Sequence, residues 1–189
     1  MDEIWTRLET FLKQNAPEVY GSLAPGATEA KIADAEAACG VTFPPDVRQS
    51  YLRHDGQNDD SYCFVPGYFA FLSLSQIVDN WEGNIATLEI LGDDLRSGEG
   101  GSPAVKPVTL DGGWVPLVWN IGGNQICLDY APTEIGTVGQ IIEYDHEAEG
   151  QQLLAPDFRT WLGGIVSELE SGRLVWNEEL TGYCYPEDL

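Results

Sequence analysis

Trp114-Val115-Pro116-Leu117-Val118-Trp119-Asn120-Ile121, then Gly122-Gly123-Asn124, then Gln125-Ile126-Cys127-Leu128-Asp129-Tyr130, is the stretch on which the fold turns. Two runs of apolar, β-branched and aromatic residues flank three residues that tolerate positive φ, which is the chemistry of a β-hairpin. A further strand is expected at residues 140–144 around Ile141 and Ile142, with a short one at Leu153-Leu154. Upstream, residues 105–110 read as a strand running into the turn Asp111-Gly112-Gly113. Residues 62–72, aromatic and β-branched around Pro66-Gly67, read as two short strands in a hairpin. Connections this local predict a mostly antiparallel sheet.

Helical patterns lie on both sides of this strand-rich middle. Ile4, Trp5, Leu8, Phe11 and Leu12 recur at steps of three and four over residues 2–15, and Ala16-Pro17 ends that stripe. Thr28 is an N-cap for a second helix reaching Cys39, with Gly40 just past its end. Pro44-Pro45 opens a third, which buries Val47, Tyr51 and Leu52 and stops at Asp55-Gly56. Ser73 or Ser75 caps a longer helix carrying Ile77, Trp81, Ile85 and Leu88 and closed by Gly92. From Asp157, the residues Phe158, Trp161, Leu162, Ile165, Val166 and Leu169 trace a last helix ending near Gly172. The expectation is one α+β domain over residues 1–189, with N-terminal helices packed on the sheet and a C-terminal helix. Its core spans about residues 5–171, and residues 172–189 form an extension without a readable pattern.

With 43% hydrophobic residues and six Trp among 189, the chain folds on burial and is no candidate for disorder. Nine Lys and Arg stand against 31 Asp and Glu, a net charge of −22. Such a field repels phosphate backbones and anionic membranes, which argues against nucleic-acid or membrane partners and favours a basic protein. The acidic start Met1-Asp2-Glu3-Ile4-Trp5 is no signal peptide, and no apolar run nears the ~18 residues of a membrane span, so a cytoplasmic protein is expected. Cys39, Cys63, Cys127 and Cys184 lack any CxxC spacing and read as buried free thiols.

Catalytic signals are sparse. His54 and His146 are the only histidines and fit no metal-ligating pattern; His54 is expected at a helix C-terminus. There is no nucleophile elbow and no phosphate-binding loop, so neither a cofactor nor a metal is expected and the chain reads as non-enzymatic. Asp55, Asp59 and Asp60 crowd together as around a hard cation, yet the twelfth position counted from Asp55 is Pro66, where a calcium loop needs glutamate. A solvated acidic loop is the simpler reading, and residues 93–102 read likewise. Trp81, Trp114, Trp119 and Trp161 read as core rather than as stacking platforms, because no cationic groove accompanies them. One asymmetry stands out: between His54 and Leu95 lie eight acids and no Lys or Arg.

Several separated motifs, in order, resemble a known family. They are Leu23-Ala24-Pro25-Gly26-Ala27, Phe43-Pro44-Pro45-Asp46-Val47-Arg48 and His54-Asp55-Gly56-Gln57. Phe71-Leu72-Ser73-Leu74 and Gly113-Trp114-Val115-Pro116-Leu117 follow, then Asp129-Tyr130-Ala131-Pro132, Gly139-Gln140-Ile141-Ile142 and Leu154-Ala155-Pro156-Asp157-Phe158. The pattern is similar to the SUKH superfamily, which holds the fungal Smi/Knr cell-wall synthesis regulators and many bacterial immunity proteins. These are scaffold residues: glycines and Asn124 for positive φ, Pro116 for a strand edge, Asp129, Pro132 and Gly136 to fix a loop.

The resemblance and the charge together lead to the expectation of an immunity protein that covers the active surface of a cognate toxin, a basic nuclease or other nucleic-acid-modifying effector. Asp55, Asp59, Asp60, Asp93, Asp94 and Glu99 are the expected partner-binding residues. The alternative is an interaction protein regulating cell-wall synthesis or stress signalling; the chain's compact length weighs toward the immunity reading, since the fungal proteins carry long flanks. An acidic hydrolase is the third and least supported reading.

Overall fold

The computed structural model describes residues 1–58, 61–67, 69–92, 100–148 and 150–188. The apolar stripe of the N-terminus forms helix α1 (Asp2–Asn15), burying Ile4, Trp5, Leu8 and Leu12. Pro17 does more than end it, because proline suits the first helical position and starts the short α2 (Pro17–Ser22). Helix α3 (Glu29–Cys39) is capped by the Thr28 hydroxyl and closed by Gly40 in the left-handed region at φ 68°. Helix α4 (Pro45–Arg53) follows, with His54 as its C-cap. After the two-residue strand β1 (Ala70–Phe71) come α5 (Leu74–Leu91), β2 (Trp114–Trp119), β3 (Gln125–Asp129), β4 (Gln140–Tyr144), β5 (Gln152–Ala155) and α6 (Phe158–Ser171).

The α+β architecture is as expected: β1 to β5 form one antiparallel sheet in sequence order. One face carries Val115, Leu117, Ile126, Leu128 and Ile141 into the main core beneath α1, α4 and α6. Trp5 sits at its centre, fully buried, with its indole N–H donating to Ser50 Oγ at 2.9 Å. The opposite face holds a smaller cluster of Trp114, Cys127, Ile142 and Tyr144, covered by Val105 and Leu110. Trp114 and Trp161 are buried and Trp81 and Trp119 partly so, which makes all four packing residues.

Four local expectations are corrected. Residues 105–110 form no strand: Val105 and Leu110 plug the second cluster from irregular backbone. Pro107 cannot join a ladder, and the carbonyls of Ala104 and Thr109 are taken by the side chains of Gln140 and Gln151. The hairpin at 62–72 shrinks to one bridge, Val65 to Phe69, because β1 pairs with β2 while Cys63 bonds residues of the C-terminal segment. Strand β2 is internal, so Pro116 sits on no edge; it lies past the end of β1 and at a register shift against β3, where its missing N–H costs nothing. The segment without a readable pattern forms a hairpin of β6 (Val175–Asn177) and β7 (Gly182–Cys184), then a 3-10 turn at Pro186–Asp188.

Candidate functional site

Of the acids in residues 54–95, Asp79, Glu82 and Glu89 lie on helix α5, and α3 packs against that helix. The capping box that starts α5 is local: Ser73 Oγ accepts from Gln76 N–H, and Gln76 Oε1 accepts from Ser73 N–H at 2.9 Å. Asp55 adds a second anchor, its Oδ1 accepting the Leu74 N–H at 2.9 Å and its Oδ2 lying 3.4 Å from Lys31 Nζ on α3. A carboxylate at a helix N-terminus is favoured by the exposed N–H groups and the dipole. Gly56 makes this approach possible: at φ 75° it passes so close to α5 that a Cβ would stand 2.3 Å from Ser73 N.

Between the two helices runs a groove of about 380 Å³. Ala35, Ala38, Leu74 and Val78 supply its apolar part, and Asp34, Asp55 and Asp79 its carboxylates. Lys31 is committed to Asp55, and the Arg48 guanidinium to Glu29 and Glu36. Asp34, Asp79, Glu82 and Glu89 have no ion pair among the described residues. The surface therefore presents uncompensated negative charge around an apolar strip, a field that favours cations over anions.

Of the six partner-binding residues expected from sequence, Asp55 lines this groove, with both of its oxygens already engaged. Asp59, Asp60, Asp93, Asp94 and Glu99 lie outside the described residues. Asp34 belongs to the same surface and sequence reading missed it. Its helix joins the site only through the packing of α3 on α5, and no local pattern announces that contact.

The groups with nucleophilic or acid–base chemistry are engaged elsewhere. His54 does cap a helix C-terminus; its Nδ1 lies 2.8 Å from the Ala24 carbonyl and its Nε2 3.1 Å from Glu9 Oε1. His146 Nδ1 is bound to Asn124 Oδ1 at 2.9 Å. All four cysteines are buried and none is in a disulfide. Burial pushes the Cys39 thiol up to about 11, with Glu82 adding to the effect, and raises Cys127 further, so neither is a thiolate at neutral pH. Among the described residues no three His, Cys, Asp or Glu side chains gather as a metal site, and no helix is long and apolar enough to cross a membrane.

Fold and surface together define an α+β domain with an acidic groove between α3 and α5. The family is settled by comparison: a model of the SMI1/KNR4 family (SUKH-1) matches residues 26–164, and the chain belongs to that family. The chain is similar to the cell wall biosynthesis/cell cycle regulator smi1 of Schizosaccharomyces pombe, 27% identical over 95% of this chain and 38% of the relative. It is also similar to the glucan synthesis regulatory protein of Neurospora crassa, 24% identical over 93% of this chain and 39% of the relative. With the cell wall assembly regulator SMI1 of Saccharomyces cerevisiae the identity is 25% over 89% of this chain and 40% of the relative. The chain thus spans about two-fifths of the length of the curated relatives it matches.

These relatives overturn the toxin-immunity expectation. Each is named as a regulator of the fungal cell wall or its glucan, and none of the three is named for neutralising a toxin. The length argument fails with it, since the matched region is one part of longer proteins. The error lay in the step from acidity to toxin: net charge selects the sign of a partner and says nothing of its identity.

Proposed function

We propose that this chain is a non-enzymatic protein-interaction domain that serves regulation of cell-wall assembly. The observation that supports it most is the similarity, across nearly the whole chain, to relatives named as cell-wall regulators in three different fungi. The α3–α5 face is the proposed contact surface for a basic protein segment, with Asp34, Asp79 and Glu82 as its exposed charges and Asp55 as its anchor to the fold. The acids at 59, 60, 93, 94 and 99 remain part of the proposal as neighbours in sequence of this surface. Affinity would come from the few apolar residues between the helices, while the field speeds encounter.

A domain exchange tests the reading. In a chimera, this chain replaces the matched region of the budding-yeast relative, and the cells are scored for wall glucan and growth under wall stress. The chimera is expected to support wall assembly, and the same chimera with Asp34→Lys, Asp79→Lys and Glu82→Lys to lose that support while its level in the cell is unchanged. A well-expressed chimera that behaves like the deletion would overturn the regulatory reading. A triple variant that works as well as the parent would remove the α3–α5 face from it.

A further inference from the structure

A second groove, of about 440 Å³, lies between the main-core face of the sheet and α6 and shares no residue with the α3–α5 groove. Its volume is within the range of built ligand sites. Phe69, Ile126, Trp161 and Ile165 line it, and every charged side chain that reaches it is an acid: Glu143, Glu168 and Asp188. Glu168 already holds Arg173 at 2.5 Å. The Glu143 carboxylate has no ion pair among the described residues.

The position of Glu143 is what calls for explanation. In the β4 register it stands opposite Ile126, two residues from Ile141, which is opposite Leu128; all three of those neighbours belong to the main core. Glu143 is therefore on the inward face of an internal strand, where the alternation calls for an apolar side chain. It is half-buried, and among the described residues its carboxylate has neither a hydrogen bond nor an ion pair. Its cross-strand neighbour Gln152 bonds Ser102 instead. Burial, with Asp145 nearby, holds the Glu143 carboxyl above the usual carboxylate range. A carboxylate in this setting costs the folded state stability and returns nothing to the fold itself.

We propose that this groove docks an extended segment of a partner protein that sets an arginine guanidinium on the Glu143 carboxylate. Apolar residues on either side of that arginine pack against Leu154 and Tyr185, which line the groove and are exposed. Arginine is chosen over lysine because its planar fork pairs with a carboxylate through two parallel hydrogen bonds. The inference rests on reading the domain as a protein-interaction module and adds a second face to it.

The test is selection of a display library of random heptapeptides on the purified full chain. Two variants separate binding from folding. Glu143→Leu removes the uncompensated charge and is expected to raise Tm by about 2–5 °C while abolishing selection. Gly164→Phe places a ring in the groove from a helix position where an added Cβ meets nothing within 4 Å, and it blocks docking without disturbing the core. Wild type is expected to enrich peptides with an arginine between apolar residues. A peptide so enriched should bind Glu143→Gln at least tenfold more weakly and bind the Asp34→Lys, Asp79→Lys, Glu82→Lys variant with undiminished affinity for this groove. No enrichment, an acidic consensus, or enrichment that survives Glu143→Leu and Gly164→Phe would overturn the proposal. Any of these can occur while the yeast chimera still works, so failure of this groove and failure of the regulatory reading are distinguishable.

Discussion

Asp129 is fully buried at the end of β3, and its two oxygens hold a corner of the sheet together. Oδ1 accepts from Ala131 N–H at 2.8 Å and Oδ2 from Gln140 Nε2 at 2.9 Å, while Gln140 also reaches Ala104 O and accepts from Thr137 N–H. Burial raises the Asp129 carboxyl despite those two donors. Gln140→Ala would strip three hydrogen bonds and leave a buried carboxylate short of a donor, at a cost of about 3 kcal/mol, lowering Tm by roughly 6–12 °C. Thermal unfolding checks this, and a fall under about 2 °C would mean the corner is held by other contacts. Glu9 gives a pH test. Burial alone would push its carboxyl up, but hydrogen bonds from Arg53 at 2.6 Å and from His54 outweigh it and hold the group below its ordinary value. The sign follows: a depressed folded value adds stability that is present above the ordinary carboxylate range and is lost as pH falls through the folded value. The stability gap between wild type and Glu9→Gln, measured by urea unfolding, should be widest near neutrality and close on acidification; a gap that widens in acid would refute the assignment.

At the scale of elements, what the chain made readable was what it fixes within three or four residues. The caps at Thr28, Ser73 and Asp157 each bind an N–H three residues on, so a local pattern finds them. Ser73→Ala removes the hydroxyl half of the capping box and should cost about 1 kcal/mol, while Ser73→Asp should retain most of it; both are read from unfolding midpoints. The C-terminal hairpin was not readable because its partners are distant. Cys63 N–H donates to Thr181 O, Tyr183 N–H donates to Cys63 O, and the Tyr183 ring lies 5.9 Å from that of Phe11. Residues 105–110 misled for the converse reason: their β-branched composition is real, but side-chain amides from Gln140 and Gln151 replace the ladder. Leu174, Tyr183 and Cys184 are each at most 3% exposed. Truncation after Gly172 should therefore cost on the order of 5 kcal/mol, enough to unfold a domain of ordinary stability. A truncated chain that keeps the parental Tm would show the hairpin to be a passenger.

For the whole molecule the governing quantity is charge. The sequence displayed its sign and the acid-rich span of residues 54–95, but the surface that Asp55 and Asp79 share with Asp34 arises only when α3 packs on α5, and the inward position of Glu143 only when β4 pairs with β3. A net charge of −22 on a compact 189-residue chain must also repel itself, and Asp34, Asp79, Glu82 and Glu89 have no ion pair among the described residues to offset it. Screening shortens to about 8 Å at physiological ionic strength and lengthens to about 30 Å at 0.01 M, so the repulsion is strongest in dilute buffer. Adding salt should accordingly raise Tm, with most of the gain reached by about 0.2 M, where exposed charges more than a Debye length apart no longer sense one another. Replacing Asp79, Glu82 and Glu89 by their amides leaves the shape of α5 unchanged and removes three negative charges. It should raise Tm in dilute buffer and flatten the response to salt. If instead Tm is flat between 0.01 and 0.2 M for the parent chain, the acids are spaced and hydrated well enough to be neutral to stability. The charge would then act on encounter with a cationic partner and leave the fold untouched.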